Sequence, residues 1–89
     1  MIRTEIIVRN KLGLHARATA KLVTLATGFR STIRIGRNER MIDAKNMMAV
    51  LMMGAGKGSI LSLLIDGDDE EQALHAIEGL FARLFDEAE

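Results

Sequence analysis

Residues Ser59–Ile65 form a nearly continuous apolar run, which is typical of a central strand of a sheet. Two further segments, Ile2–Val8 and Thr32–Ile35, alternate apolar and polar residues and are predicted to be half-buried strands. Arg40–Asp43 is predicted to be a short return strand, joined to the previous one by a turn at Gly36–Glu39. Four strands, one of them central, therefore form the framework of the predicted fold.

Between these strands the apolar residues change to a helical period. Ala16–Thr27 is predicted to be the first helix, and Gly28 is a natural residue to end it. We expect the buried stripe of this helix to include Ala16, Ala20, Val23, Ala26 and Thr27, widened by Leu22 and Leu25.

Two more helices are predicted later in the chain. Met47–Met53 is expected to form a short helix with Asn46 as its N-cap. The last helix is expected to begin at Glu70, where acidic residues complement the helix dipole. Its core stripe is predicted to comprise Ala73, Leu74, Ile77, Leu80, Phe81 and Leu84. The final residues, Asp86–Glu89, are expected to fray.

The order of elements is strand, helix, strand, strand, helix, strand, helix. Helices that cover one face of an antiparallel sheet give a two-layer α+β fold. Because 89 residues allow only a modest core, we expect residues 1–89 to form one small domain.

Charge and composition argue against several classes of function. The 12 basic and 12 acidic residues give zero net charge, whereas affinity for nucleic acid comes largely from a basic surface. Without cysteine the chain has neither a disulfide nor a thiolate zinc site, and we expect no metal. We expect a cytoplasmic protein that does not insert into membranes, because the sequence shows no basic-then-apolar leader and no apolar run of membrane-spanning length.

A glycine-rich loop, Gly54–Gly58, superficially resembles a phosphate-binding P-loop. However, Leu51 stands where that motif has its first glycine, and Gly58 replaces the Ser or Thr that follows the lysine. The predicted helix also precedes the loop and the strand follows it, which is the reverse of the P-loop order. We therefore expect no nucleotide to bind here.

The segment Gly13–Arg17 places a histidine at the mouth of the first predicted helix. The first amides of a helix have no partner within it, and the helix dipole favours anions at this end. A phosphoryl group on the ring of His15 would lie against the backbone amides of Ala16 and Arg17, with the Arg17 charge nearby. His15 and Arg17 are therefore the candidate catalytic residues, whereas His75 falls on the solvent side of the last helix.

Several segments of the chain resemble the HPr family, the histidine phosphocarriers of the bacterial sugar phosphotransferase system. They are Gly13–Arg17, Gly28–Phe29, Ala44–Asn46 and the acidic start of the last helix after Gly67. The resemblance covers nearly the whole chain. It implies an open-faced sandwich of four antiparallel strands and three helices.

The resemblance also implies a function. His15 would accept a phosphoryl group through Nδ1, as a pros-phosphohistidine, from the phosphoenolpyruvate-dependent enzyme I. It would then pass the group to an EIIA-type domain, with Arg17 stabilising the phosphoryl group and no cofactor required. The chain would be a monomeric component of a phosphotransferase system rather than a stand-alone enzyme.

The second predicted helix is apolar on every side, although a short helix on a sheet can bury only one stripe. Val50 and Met53 are expected to form that stripe with help from Met47. Exposed apolar clusters usually mark interaction sites, and methionine adapts to more than one partner. Because the resemblance places this helix beside His15, we expect partners to dock on Ala20, Met48, Leu51, Met52 and Gly54.

Several positions depart from the family pattern, and among them Thr24, Thr27 and Ala49 stand where sugar-pathway members often carry lysines. Ala18 stands where the family usually has proline, so the first helix is expected to begin less rigidly. Asn46 occupies the position of a serine that is regulatory in many members, and it has no hydroxyl group to phosphorylate. Asn10–Gly13 and the missing serine also resemble the nitrogen-related NPr branch, so the sugar and nitrogen pathways both stay open.

Two alternatives come from other functional classes. One is a noncatalytic regulator with the same fold, although the retention of His15 and Arg17 speaks against it. The other is a small ligand-sensing α+β module, such as an amino-acid-binding ACT domain. That function would leave the histidine and arginine unexplained and would predict ligand-dependent dimerisation.

Overall fold

The computed structural model describes residues 1–89 as four strands and three α-helices. In chain order the elements are β1 (Ile2–Ile7), α1 (Ala16–Thr27), β2 (Thr32–Arg37), β3 (Arg40–Asp43), α2 (Met47–Met53), β4 (Ile60–Asp66) and α3 (Glu70–Ala82). Both bounds of α1, β3 and α2 are as predicted. β2 is two residues longer than predicted, so the hairpin turn is confined to Asn38 and Glu39.

The strands form one antiparallel sheet in the order β1-β4-β2-β3. The prediction that the apolar run is the central strand is confirmed, because β4 pairs with β1 on one side and β2 on the other. Leu61, Leu63 and Ile65 of β4 are fully buried on the helical side, while Ile60 on the opposite side is 56% exposed. The predicted two-layer α+β fold is therefore confirmed. None of the helices is long and apolar enough to cross a bilayer.

The helix α1 buries only part of the predicted stripe. Ala18, Leu22 and Ala26, spaced by four residues, are fully buried and belong to the main core cluster. The burial of Leu22 and Ala26 confirms the prediction for these two residues, whereas Ala18 was not predicted. The predicted burial of Ala16, Ala20 and Thr27 is wrong, because all three residues are exposed. Alanine at two of the positions spaced by four allows the helix to lie close to the sheet.

The predicted core stripe required the last helix to continue to Leu84, and this prediction is wrong. Instead α3 ends at Ala82, and Leu84, Phe85 and Asp86 form a short 3-10 turn in which all three have positive φ. Left-handed backbone costs residues with a side chain roughly 1–2 kcal/mol each. Phe85 offsets this cost, because its ring is fully buried and packs against Phe81 with the ring centroids 4.7 Å apart.

Hydrogen bonds hold the residues that were predicted to fray. Nζ of Lys21 donates to the carbonyl of Phe85 at 2.7 Å, and the backbone amide of Lys11 donates to the carbonyl of Glu89 at 2.8 Å. The carboxyl-terminal segment Glu87–Glu89 is therefore fastened across the start of α1 rather than left in solvent.

The start of α3 is tied to the start of β2 through Asp69. Its carboxylate accepts hydrogen bonds from the backbone amides of Arg30 and Ser31, both at 2.9 Å, and from the Ser31 hydroxyl at 2.5 Å. These donors stabilise the ionised carboxylate, with the Ser31 hydroxyl contributing most, and they lower the pKa of Asp69 to about 2.

Candidate functional site

His15 is the N-cap of α1. Its backbone is extended, with φ −75° and ψ −179°, and its ring Nδ1 accepts a hydrogen bond from the backbone amide of Arg17 at 3.3 Å. The side chain of a cap residue thus takes one of the amide donors that the first turn of a helix leaves without a partner. The ring nitrogen Nδ1 consequently points at the positive end of the α1 dipole.

The segment before His15 is fixed by the loop that follows α2. The amide of Leu14 donates to the carbonyl of Ala55 at 2.8 Å, and the Thr19 hydroxyl donates to the carbonyl of Leu14 at 3.0 Å. Gly13 has a φ of +68°, and a Cβ there would lie 2.5 Å from the carbonyl oxygen of Ala55. Only glycine permits so close an approach, so the two loops lock together beneath His15.

Glu87 contacts the other ring nitrogen. Its Oε2 lies 2.5 Å from Nε2 of His15, and its Oε1 accepts a hydrogen bond of 3.0 Å from the amide nitrogen of Asn10. Asn10 is fully buried and also donates to the carbonyl of Gly13 at 2.8 Å. The hydrogen bond from Asn10, and next that from His15, lower the pKa of Glu87, so its carboxylate is ionised at neutral pH.

Sequence reasoning missed this role for both Asn10 and Glu87. Asn10 was noted only as part of the segment Asn10–Gly13, and Glu87 was expected to lie in a frayed tail. No local signal separates Glu87 from the other acidic residues near it, Asp86 and Glu89. Its placement depends on the left-handed turn that precedes it.

The two hydrogen bonds of the imidazole assign the tautomer of its neutral form. Nδ1 faces the N–H of Arg17, so it must present a lone pair, and Nε2 faces an ionised carboxylate, so it must carry the proton. A hydrogen-bonded partner on one ring nitrogen commonly decides which form the other takes. The nucleophilic nitrogen of the neutral ring is therefore Nδ1.

His15 lies in an open cleft of about 1000 Å³ at the surface. The side chain of His15 is 29% exposed, so a partner can reach it, while the side chain of Glu87 is only 14% exposed. The guanidinium group of Arg17 is exposed and has no ion pair within the protein. The cleft is lined by Lys11, Leu12, His15, Ala16, Arg17, Glu87, Ala88 and Glu89.

The side of α2 directed away from the sheet is apolar and exposed. Met48 and Met52 are 64% and 79% exposed, and Leu51 is half-buried, whereas Val50 is fully buried as predicted. Asn46 caps the helix, since its Oδ1 accepts a hydrogen bond of 3.0 Å from the amide of Ala49.

Ala20 and Gly54, the two other residues predicted to meet partners, are also exposed. Gly54 ends α2 with a φ of +61°, and a Cβ at this position would meet no other atom. The surface beside α2 is therefore open there. His75 is exposed on α3, as predicted, and no cluster of three or more His, Cys, Asp or Glu side chains is arranged to hold a metal.

Comparisons with known proteins show similarity over nearly the whole chain. The sequence profile described as "PTS HPr component phosphorylation site" matches residues 2–83. The chain is 47% identical over 89 residues to the phosphocarrier protein HPr of Cupriavidus necator, with 100% of both chains covered. It is 49% identical to the protein of the same name from Pseudomonas aeruginosa over 96% of each chain. The crystal structure of HPr-C-His from Thermoanaerobacter tengcongensis superimposes with a TM-score of 0.95 at 35% identity, covering 100% of both chains.

Proposed function

This chain belongs to the HPr family, the phosphocarriers of the phosphotransferase system, and we propose that it carries the phosphoryl group on Nδ1 of His15. Residues 1–89 act as one phosphocarrier domain. The observation that carries the proposal is the direction of the Nδ1 lone pair, which points at the amino-terminal amides of α1. A ligand-sensing module would give no reason for that arrangement.

In the accepting step, the lone pair on Nδ1 attacks the phosphorus atom carried by the donor. The bond between phosphorus and the donor breaks as the new P–N bond forms. The amides of Ala16 and Arg17 then lie near the phosphoryl oxygens, where the helix dipole favours negative charge. The exposed guanidinium group of Arg17 adds a charge-assisted contact that does not bury the group.

In the donating step, the imidazole must leave phosphorus. It leaves more readily when Nε2 is protonated, because the departing ring is then neutral. Glu87 favours this protonated form, since its ionised carboxylate accepts a hydrogen bond from Nε2–H and so stabilises the proton on the ring. Glu87 is thus a positioning residue that fixes the tautomer before transfer and stabilises the charged ring after it.

The phosphoryl donor in this proposal is the phosphoenolpyruvate-dependent enzyme I, and the acceptor is an EIIA-type domain. Both dock on one face formed by Ala20, Met48, Leu51, Met52 and Gly54, which we name the docking face. Two observations support this docking face. The helix α2 exposes apolar side chains, and the hydrogen bond between Leu14 and Ala55 joins the loop after α2 to the His15 segment. Both transfers use this chain as a monomer.

Phosphorylation by enzyme I tests the proposal directly. The chain is mixed with phosphoenolpyruvate and, separately, with enzyme I from the sugar pathway and its nitrogen-related paralogue. Intact-mass analysis should show one acid-labile phosphoryl group with the cognate enzyme, and the cognate paralogue identifies the pathway. His15→Ala should abolish labelling, whereas the matched variant His75→Ala should keep it. Labelling of His15→Ala at the level of the native chain would refute the proposal.

A further inference from the structure

Methionine is the only sulfur-containing residue of this chain, which has six methionines and no cysteine. Any oxidation of sulfur therefore falls on thioethers rather than on a thiol. Four of the six methionines lie in the seven-residue helix α2. Two of these, Met48 and Met52, are 64% and 79% exposed, whereas Met47 and Met53 are half-buried.

The two exposed methionines lie on one side of α2. A spacing of four residues places their side chains one turn apart along the helix. This side belongs to the docking face, and the loop after α2 contacts the segment that carries His15. Met1, Met48 and Met52 are the three exposed methionines, at 72%, 64% and 79%, and of these only Met48 and Met52 lie where phosphoryl partners are proposed to dock.

We propose that Met48 and Met52 form a reversible oxidation site that weakens docking of phosphotransfer partners when a peroxide is present. This inference rests on the proposed function and adds regulation to the same surface. The oxidant is a hydroperoxide. Methionine sulfoxide reductases supply the return step, in which a dithiol gives two electrons and two protons, the sulfoxide becomes the thioether and its oxygen leaves as water.

Each sulfur atom is oxidised by one molecule of hydroperoxide. A lone pair of the thioether attacks one peroxide oxygen, and the O–O bond breaks as the S–O bond forms. The sulfur loses two electrons and first carries an OH group, while the other oxygen leaves as an anion. The proton of that OH group then passes to the leaving oxygen, which gives the sulfoxide and, from hydrogen peroxide, water. No metal and no further reductant take part in the oxidation step.

Oxidation changes the docking face without removing core packing. A sulfoxide is polar and accepts hydrogen bonds strongly, so a partner surface that matched a thioether would bury it without a hydrogen bond. The fold itself should tolerate the change, because Met48 and Met52 are mostly in water and the buried residue of α2 is Val50. We expect docking to weaken by about tenfold at each transfer step, which corresponds to about 1.4 kcal/mol.

The test treats the full chain with hydrogen peroxide until mass analysis shows oxidation of both methionines. Thermal unfolding then reports the fold, and the rate of phosphoryl acceptance from enzyme I at sub-saturating concentration reports docking. The rate should fall by about tenfold with an unchanged melting temperature, and methionine sulfoxide reductase should restore it. For the variant Met48→Leu/Met52→Leu, which conserves volume, the rate after the same treatment should equal the rate of the untreated variant, which is measured separately from that of the native chain.

A matched double variant, Met41→Leu/Met53→Leu, removes two methionines elsewhere and should still lose activity on oxidation. The inference is overturned if the oxidised native chain accepts phosphoryl at the untreated rate, if protection by Met48→Leu/Met52→Leu is absent, or if the rate falls only because the fold melts. Failure of the untreated chain to accept phosphoryl from any enzyme I paralogue would instead refute the proposed function, and the inference with it.

Discussion

Nε2 of His15 and Oε2 of Glu87 lie 2.5 Å apart, although 72 residues separate them in the chain. The contact joins the mouth of the first helix to the carboxyl-terminal segment. Because Asn10 donates to the other oxygen of the same carboxylate, the orientation of Glu87 is fixed from both sides.

The variant Glu87→Gln should change the tautomer of His15. Without an ionised acceptor the proton is no longer held on Nε2, so nitrogen-15 NMR at alkaline pH should show a larger share of the form protonated on Nδ1. Phosphoryl acceptance should slow by roughly tenfold, because that form lacks the nucleophilic lone pair. Glu89→Gln, at an exposed position nearby, is the control and should leave both readouts unchanged. An unchanged tautomer ratio in Glu87→Gln would show that the carboxylate does not position the ring.

The variant Arg17→Ala should impair transfer but not folding. Its guanidinium group is exposed and unpaired, so its loss should change the free energy of unfolding by less than ~0.5 kcal/mol. The rate of acceptance should fall by roughly 100-fold, as expected when a donor to a developing negative charge is removed. Arg34→Ala, an exposed arginine in β2 on the sheet, serves as the matched control in urea titration and transfer assays. A stability loss beyond ~2 kcal/mol would mean that Arg17 supports the fold instead.

A positive charge placed on the docking face should slow phosphoryl acceptance. Met48→Lys and Leu51→Lys place an ammonium group on a surface proposed to be buried against partners, so acceptance at sub-saturating enzyme I should slow while thermal stability changes little. Ile60→Lys is the matched control, because Ile60 is 56% exposed on the face of the sheet opposite the helices. Transfer at the native rate by both folded α2 variants would show that partners dock elsewhere.

The chain should not be a substrate for a serine kinase that acts on HPr proteins. Asn46 caps α2 through its side-chain oxygen but has no hydroxyl group, and the segment 44–54 has no serine or threonine. Incubation with such a kinase and ATP should leave the intact mass unchanged. Asn46→Ser keeps the cap and restores a hydroxyl group, so it provides the matched positive variant. An acid-stable phosphoryl group on this segment of the native chain would contradict the prediction.

Asp69 should make stability depend on pH in the acidic range. Its pKa falls from 3.8 to about 2 in the folded protein, so folding favours the ionised form. The resulting stabilisation is fully present above the unfolded pKa and is lost as the pH falls through the folded value. Melting temperatures of the native chain and Asp69→Asn should therefore differ most above about pH 5 and converge toward pH 2. Asp68→Asn, at a neighbouring exposed carboxylate, should show a smaller difference, and a constant gap for Asp69→Asn across this range would argue against the assignment.

Local signals were enough to predict the helices that carry the site. The N-cap position of Asn46 and the place of His15 directly before the first helix follow from the period of the residues after them, and both are confirmed. The central position of β4 likewise followed from its apolar run alone. These features depend on neighbours within a few residues, which a sequence displays directly.

The parts that could not be predicted depend on contacts between distant residues. Asn10 and Glu87 are 77 residues apart, and they meet only because the chain reverses at Leu84–Asp86. None of those three residues is a glycine or an asparagine, so nothing local indicates a left-handed turn. Its driving force is the burial of Phe85, which is a property of the assembled core. The burial of Ala18 in α1 was missed for the same reason, since the position of the sheet decides which apolar residues of this helix are covered.

The pairing of β4 also bears on how fast the protein folds. Only β2 and β3 are neighbours both in the chain and in the sheet. The strand β1 pairs only with β4, with Ile2 opposite Ile65, so it can join the sheet only after β4 has been placed. Closing so long a loop costs chain entropy before the strand contacts that offset this cost can form. Proteins rich in such pairings therefore fold slowly for their size. Until β4 docks, β1 has no partner strand and the β2–β3 hairpin is the only sheet structure available. We therefore expect the docking of this one strand to govern the folding rate, and substitutions that weaken it to prolong the time during which unpaired strand edges are open to aggregation.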